Sequence, residues 1–246
     1  MDRPDIHIHR DAGALFQASA ELIAAELKTA LHAAGTATFV LTGGNTPRGV
    51  YELLAGEPYR DRLDWSRIHF FWGDERCVQP GSPESNYRMA YDALISKIPV
   101  PELLVHRIRA ELQDPEQSAL LYEAEVRKLL PFPQSAGFNL VLLGMGVDGH
   151  IASLFPGMNW SRQRLVIPTI APSFPARRIS MTTHILNTAQ RIVFLVSGSQ
   201  KAQALARVLE DPSCDLPATK IRPITGRLTW MVDKASASLL SSGRAY

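Results

Sequence analysis

Short, almost wholly apolar runs alternate along this chain with longer segments whose apolar residues recur at helical spacing, and no other feature restricts the fold as much. "IHIHR" (6 to 10) reads as a strand. Leu15, Leu22, Ile23, Leu27, Ala30 and Leu31 then follow a helical period until Gly35 ends it. Further strands are expected at "ATFVLT" (37 to 42), "RIHFFW" (67 to 72), "LLVHRI" (103 to 108), "FNLVLLG" (138 to 144), "RISMTT" (178 to 183), "RIVFLVS" (191 to 197) and "LTWMV" (228 to 232). Several are nearly all apolar, as strands covered on both faces must be. Helices are expected at 48 to 55, 86 to 96, 115 to 130 and 199 to 209, the third opened by Asp114 as cap and Pro115 in its first turn. The alternation predicts an α/β fold, Rossmann-like and doubly wound, with a mostly parallel sheet and helices on both faces. In such folds ligands bind in the loops at the carboxyl ends of the strands.

Composition narrows the class. A chain of 246 residues, 46% hydrophobic, can bury a full core, and the expectation is one domain spanning 1–246. "KIPVPE" and "PFPQSAG" read as turns within it, not as linkers. The net charge of +2 provides no global basic field, so no nucleic-acid partner is expected and any anion site must be local. Cys77 and Cys214 form neither a disulfide framework nor a metal knuckle, which points to a reducing compartment. "MDRPDIHIHR" carries charges where a signal peptide needs an apolar run, and no apolar stretch of about 18 residues occurs. A cytoplasmic protein with no membrane partner is expected.

Three loops at strand ends collect the unusual chemistry. In "LTGGNTPRGVYELL", Gly43 and Gly44 can turn backbone N–H groups outward at a helix start, a geometry that binds phosphate, with Thr42 and Thr46 adding hydroxyls. The loop lacks the lysine of a P-loop, and a plain turn explains the glycines equally well. "FFWGDERCV" sets Asp74, Glu75 and Arg76 directly after an apolar strand, either as a solvated loop or as a functional cluster.

The third loop, "GMGVDGHIASLFPG" (144 to 157), fits G-x-G-x-x-G through Gly144, Gly146 and Gly149. A dinucleotide fingerprint opens a helix and is followed by an acidic residue about 20 positions on. Pro156 and Gly157 break any helix here, and no Asp or Glu lies between Asp148 and Glu210. That span holds Arg162, Arg164, Arg177, Arg178, Arg191, Lys201 and Arg207, so some of these are expected to face an anionic ligand. The glycines then form a tight turn that projects Asp148 and His150. Asp148, His150 and Ser153 spell a triad but lie within a few residues and in no nucleophile elbow. Zinc lacks a ligand set, since the seven histidines are scattered and His7 and His9 have no third ligand nearby. Two readings remain: His150 as a general base oriented by a carboxylate, or a structural histidine capping the turn.

Taken together, "LTGGNTPRGVYELL", "FFWGDERCV" with "ESNYRMAYDAL", "FNLVLLGMGVDGHIASLFPG", "RISMTTHIL" and "VSGSQKAQAL" resemble, in order and spacing, the 6-phosphogluconolactonases of the oxidative pentose phosphate pathway. The resemblance runs from about residue 35 to 232. It implies a Rossmann-like fold shared with glucosamine-6-phosphate deaminases, and hydrolysis of 6-phosphogluconolactone to 6-phosphogluconate by a monomer that needs neither cofactor nor metal. By the same resemblance His150 activates water, Asp148 orients it or the sugar hydroxyls, and Asp74 positions hydroxyls or water. Arg76 contacts substrate or oxyanion, while Gly43, Gly44, Thr46, Arg178 and Lys201 hold the phosphate. The partner is thus a small sugar-phosphate lactone.

Two competitors are weighed on residues. The deaminases resemble a histidine relay completed by a glutamate five positions after the histidine, where this chain has Phe155, which transfers no proton. A non-catalytic sugar-phosphate sensor of the kind found in transcription regulators needs a DNA-binding helical domain. The chain begins directly with the α/β pattern and keeps His150 and its acidic neighbours, so this reading is not expected to hold.

Overall fold

The computed structural model of the chain describes residues 5–130, 137–161 and 163–241. The turn expected at "PFPQSAG" lies almost wholly outside the described residues, as do 1–4, Arg162 and 242–246. The strands are β1 (Asp5–His9), β2 (Ala37–Leu41), β3 (Ile68–Trp72), β4 (Asp74–Arg76), β5 (Val105–His106), β6 (Leu140–Gly144), β7 (Val166–Ile170), β8 (Arg177–Met181), β9 (Arg191–Val196) and β10 (Arg227–Asp233). The helices are α1 (Ala12–Ala34), α2 (Asn45–Leu54), α3 (Tyr59–Arg62), α4 (Asn86–Ala93), α5 (Pro115–Leu129), α6 (Thr183–Leu186) and α7 (Ala202–Glu210).

Seven strands form a parallel sheet in the order β1-β10-β9-β6-β2-β3-β5. Every residue of β2 and β9 is buried, so both faces of the sheet are covered, as the unbroken apolar runs require. Burying side chains such as Phe39, Leu41, Val193 and Phe194 contributes roughly 1.5–3 kcal/mol apiece. From β2 the chain winds outward through β3 and β5. It then crosses back to β6 on the other side of β2 and winds the opposite way through β9 and β10. The direction reverses between β2 and β6, which opens a crevice at their carboxyl ends.

Local signals set the element ends. Asp11 accepts a hydrogen bond from the Ala14 amide at 2.8 Å to start α1, and Gly35, with φ 80°, ends it by donating to Leu31 O. Asp114 caps α5 by accepting from Glu116 N at 2.9 Å, with Pro115 where no intrahelical donor is needed.

Four segments differ from the sequence reading. "RISMTT" forms β8, but in a separate antiparallel sheet, β4-β8-β7. Asp74 to Arg76, read as a loop, forms β4, and β7 was not foreseen. A charged three-residue strand carries no period to detect, because its ladder comes from β8, more than 100 residues away. "LLVHRI" begins in a 3-10 turn, Glu102–Leu104, and only its middle two residues form the strand β5.

Candidate active site

Loops that follow β2, β6 and β9 meet strands β4 and β8 around a cleft of about 350 Å³ at the carboxyl end of the sheet. It is the crevice that the β2/β6 reversal creates. The first wall is the start of α2, which begins at Asn45, three residues earlier than expected, so that its N-terminus opens directly into the cleft. Gly44 takes φ 108°, a conformation L side chains resist, and no side chain caps the helix. Its first amides and its dipole therefore face the cleft, as an anion site requires. Buried Tyr51 pins the entry to this turn: its hydroxyl accepts from Thr42 N at 2.9 Å and donates to Thr42 O at 3.0 Å. At Gly43 a Cβ would collide with the carboxamide of Asn86, which fills that space and donates to Asp74 O at 2.9 Å.

The second wall carries the histidine. His150 Nδ1 lies 2.6 Å from Asp148 Oδ1, and the same oxygen accepts the His150 backbone N–H at 3.2 Å. Burial works against the Asp148 charge, but the attraction of the His150 ring and the bonds it donates outweigh it, holding the carboxyl below the usual aspartate value. An ionised carboxylate only accepts, so Nδ1 is the donor of the pair, and in the neutral form of the ring Nε2 keeps a lone pair. Phe155 packs against the imidazole at 4.8 Å between ring centroids. Gly146 is obligatory here: a Cβ would overlap both the imidazole and the Asp148 carboxylate. Gly149, at φ 78°, closes the turn by donating to Gly146 O.

The cations come from the third and fourth walls. Arg76 and Arg178 are direct cross-strand partners of β4 and β8, and both line the cleft. Burial, and then the charge of Arg76, pull the Arg178 guanidinium below its ordinary value. Its Nε donates to Pro175 O, and Arg76 donates to Glu84 O, so among the described residues neither guanidinium has a carboxylate partner within ion-pair distance. Arg76 Nε is buried without a partner. Lys201, just before α7, also lines the cleft, and burial pulls it below the lysine range against the opposing charge of Asp148. An anion in the cleft would offset all of these desolvation costs.

Carboxylates fix the frame. Glu75 is almost fully buried and accepts from Arg76 N, Ser85 Oγ, Asn86 N and Tyr87 N at 2.7–2.9 Å, fastening the start of α4 behind the cleft. Burial still pushes its carboxyl up. Asp233, ending β10, accepts from Ser197 Oγ, Gly198 N and Ser236 N, which anchors the loop that carries Lys201.

Thus all nine residues singled out from the sequence, Gly43, Gly44, Thr46, Asp74, Arg76, Asp148, His150, Arg178 and Lys201, fall in or directly beside one cleft. The wider cationic span does not converge in the same way. Arg164 pairs with Glu116 and Glu123, Arg191 lies near Asp5 and Glu26, and Arg177 donates to Gln113 O, while Arg207 is exposed on α7. Asn86, Ser197 and Gln200 line the cleft without having been singled out. Only the cap pattern at Ser85 hinted at the first of these.

Residues 10–230 match the family model described as glucosamine-6-phosphate isomerases/6-phosphogluconolactonase. The chain belongs to that family. Its relatives include a 6-phosphogluconolactonase of Haemophilus influenzae, 38% identical across 81% of this chain and 86% of that protein. Another, from a Nostoc species, is 36% identical over 96% of this chain and 98% of its own. Among solved structures, the 6-phosphogluconolactonase of Thermotoga maritima superposes with a TM-score of 0.83 at 33% identity, covering 94% of this chain and all of the other. The doubly wound family fold expected from the sequence is therefore the one this chain adopts. No described helix is long and apolar enough to cross a membrane.

Proposed function

We propose that this chain hydrolyses 6-phospho-D-glucono-1,5-lactone to 6-phospho-D-gluconate, with His150 as general base. The observation that carries the reading is the His150–Asp148 pair, 2.6 Å apart, opening into the same cleft as the uncapped α2 N-terminus and three cations. Neutral His150 takes a proton from water at Nε2, and the resulting hydroxide attacks the ring carbonyl. Asp148 stabilises the imidazolium that forms. The Arg76 guanidinium faces the oxyanion, and collapse breaks the ring C–O bond, whose oxygen regains the proton from Nε2. The α2 amides with Thr46, Lys201 and the remaining guanidinium hold the phosphate. A lactone is electrophilic enough that no covalent nucleophile enters the scheme.

Asp74 takes the role the resemblance implied. Ser153 and Asn86 each donate to one of its oxygens, which fixes the carboxylate beside Arg178 and leaves its remaining lone pairs for a sugar hydroxyl or water. The deaminase reading is weaker because Phe155 packs on the imidazole where a proton-relaying glutamate would stand. The proposal extends to a cytoplasmic monomer without a cofactor. Free Cys77 and Cys214 are consistent with a reducing compartment.

The test is the enzyme-dependent rate in excess of spontaneous lactone hydrolysis, at one pH. His150→Ala should lose at least about a thousandfold in kcat while still binding 6-phosphogluconate, whereas Lys201→Ala and Arg178→Ala should mainly raise KM. No excess rate from the wild-type protein, together with ammonia release from glucosamine 6-phosphate, would overturn the reading.

A further inference from the structure

Ser153 belongs to the histidine loop, yet the scheme above gives it no role. It is completely buried. Its hydroxyl donates to Asp74 Oδ2 at 2.6 Å, and its backbone N–H donates to Ser180 Oγ at 3.1 Å. Asp74 and Ser180 are themselves cross-strand partners in the β4/β8 ladder, so one serine touches both members of a pair on two different strands.

Geometry makes this contact consequential. Two positions along the same strands lies the next pair on the same face, Arg76 and Arg178. On its other side, Ser153 sits in a tight turn closed by mutual backbone bonds between Ile151 and Leu154, with Ala152 at φ 45°, immediately after His150. A non-glycine residue holds that conformation only where its surroundings over-determine it. Ser180 passes its own hydroxyl proton on to Met181 O at 3.0 Å, so its oxygen is committed as the acceptor for Ser153. The imidazole and the arginine pair thus belong to two separately folded pieces, the β6 loop and the small antiparallel sheet. Ser153 joins them through two hydrogen bonds, its hydroxyl to Asp74 and its backbone N–H to Ser180, and the first is the one made by its side chain.

We infer that Ser153 is a positioning residue, which sets the distance between His150 and the Arg76/Arg178 pair by fastening the histidine loop to Asp74. The inference rests on the catalytic reading of His150 given above. Without the hydroxyl, an Asp74 oxygen loses its donor and the Ser153 N–H bond to Ser180 is left to hold this point of the loop, which can then shift against the small sheet; a misplacement of about 1 Å between reacting groups costs on the order of a hundredfold in rate.

The test is a double-mutant cycle of Ser153→Ala and Asp74→Asn, read as kcat and KM separately. It is run on whichever reaction the wild-type protein catalyses, lactone opening or ammonia release, so that failure of the functional reading shows in the wild type alone. Ser153→Ala should lower kcat roughly ten- to a hundredfold with KM changed less than about threefold. Added to Asp74→Asn, it should cost less than about twofold more, because the serine acts through that carboxylate. Ser153→Cys, of similar size with a weaker donor, should fall between the two and replaces the alanine variant if that one does not fold. Wild-type kcat and KM in a folded Ser153→Ala protein, or losses that multiply independently in the cycle, would overturn the inference.

Discussion

At the scale of single residues, the site depends on side chains that are missing as much as on those present. Gly146 does not need an unusual φ; it is there because the imidazole and its aspartate occupy the space a Cβ would take. Gly146→Ala must therefore push the His150–Asp148 pair apart or rotate the ring away from the cleft. We expect kcat to fall on the order of a hundredfold while the melting temperature changes by only a few degrees, since the turn faces solvent on one side. A variant with wild-type kcat would show that the pair tolerates displacement. The sequence already placed these glycines in a tight turn that projects Asp148 and His150, and it singled out Gly43, Gly44 and the three cations that line the same cleft. It did not reveal what each glycine makes room for. The Gly43 position is explained by Asn86, a residue 43 positions away that no local pattern ties to the glycine.

At the scale of elements, two buried tyrosines end two neighbouring strands by the same device. Tyr51 brackets the backbone of Thr42 after β2, and Tyr122 brackets that of Trp72 at the end of β3, accepting at 2.8 Å and donating at 3.0 Å. Burial drives both phenols well above their ordinary range, which keeps them protonated donors. Replacing either by phenylalanine leaves a buried amide and carbonyl without partners, a loss of about 2–4 kcal/mol. The functional outcomes should differ, because only Thr42 leads into the Gly43–Gly44 turn. Tyr51→Phe should raise KM about tenfold at constant kcat, and Tyr122→Phe should leave KM near wild type with a similar loss in denaturant stability. Equal KM changes would refute this division. The elements that a local pattern can show, the buried parallel strands and the capped helices, were legible beforehand. Strands β4 and β7 were not, since each is stabilised by its antiparallel partner β8 and neither carries a period of its own.

At the scale of the molecule, the strand order was not legible either, because which parallel strands pair depends on crossovers and not on any run of residues. Its consequence, a crevice between β2 and β6, brings the loops after β2, β6 and β9 together with strands β4 and β8. Carboxylates that accept hydrogen bonds or pair with nearby cations, two of them in the loops around the cleft, give the fold a pH dependence with a definite sign. Asp5, Glu111, Glu123, Asp148 and Asp233 all lie below their ordinary values: for Glu111 the hydrogen bond from Arg107 is the leading cause, and for the others donated bonds and nearby charges outweigh burial. Between the folded and unfolded pKa of each group the unfolded chain binds more protons, so stability rises with pH there. The contribution is fully present above the ordinary carboxylate values, about 4, and is lost as pH falls through the lowered folded ones. Glu75, pushed up by burial, acts in the opposite direction and in a higher window, its contribution falling as pH rises from the ordinary glutamate value toward its raised folded one. Asp233→Asn isolates one of these contributions, because the amide has no such proton to gain. At pH 7 the variant should melt lower, having lost the charged acceptor that joins Ser197, Gly198 and Ser236, and its KM should rise as the Lys201 loop loosens. From pH 5 to pH 3 its melting temperature should fall less steeply than that of the wild type, so that the two curves converge; parallel curves would mean that the Asp233 carboxyl is not held below its ordinary value.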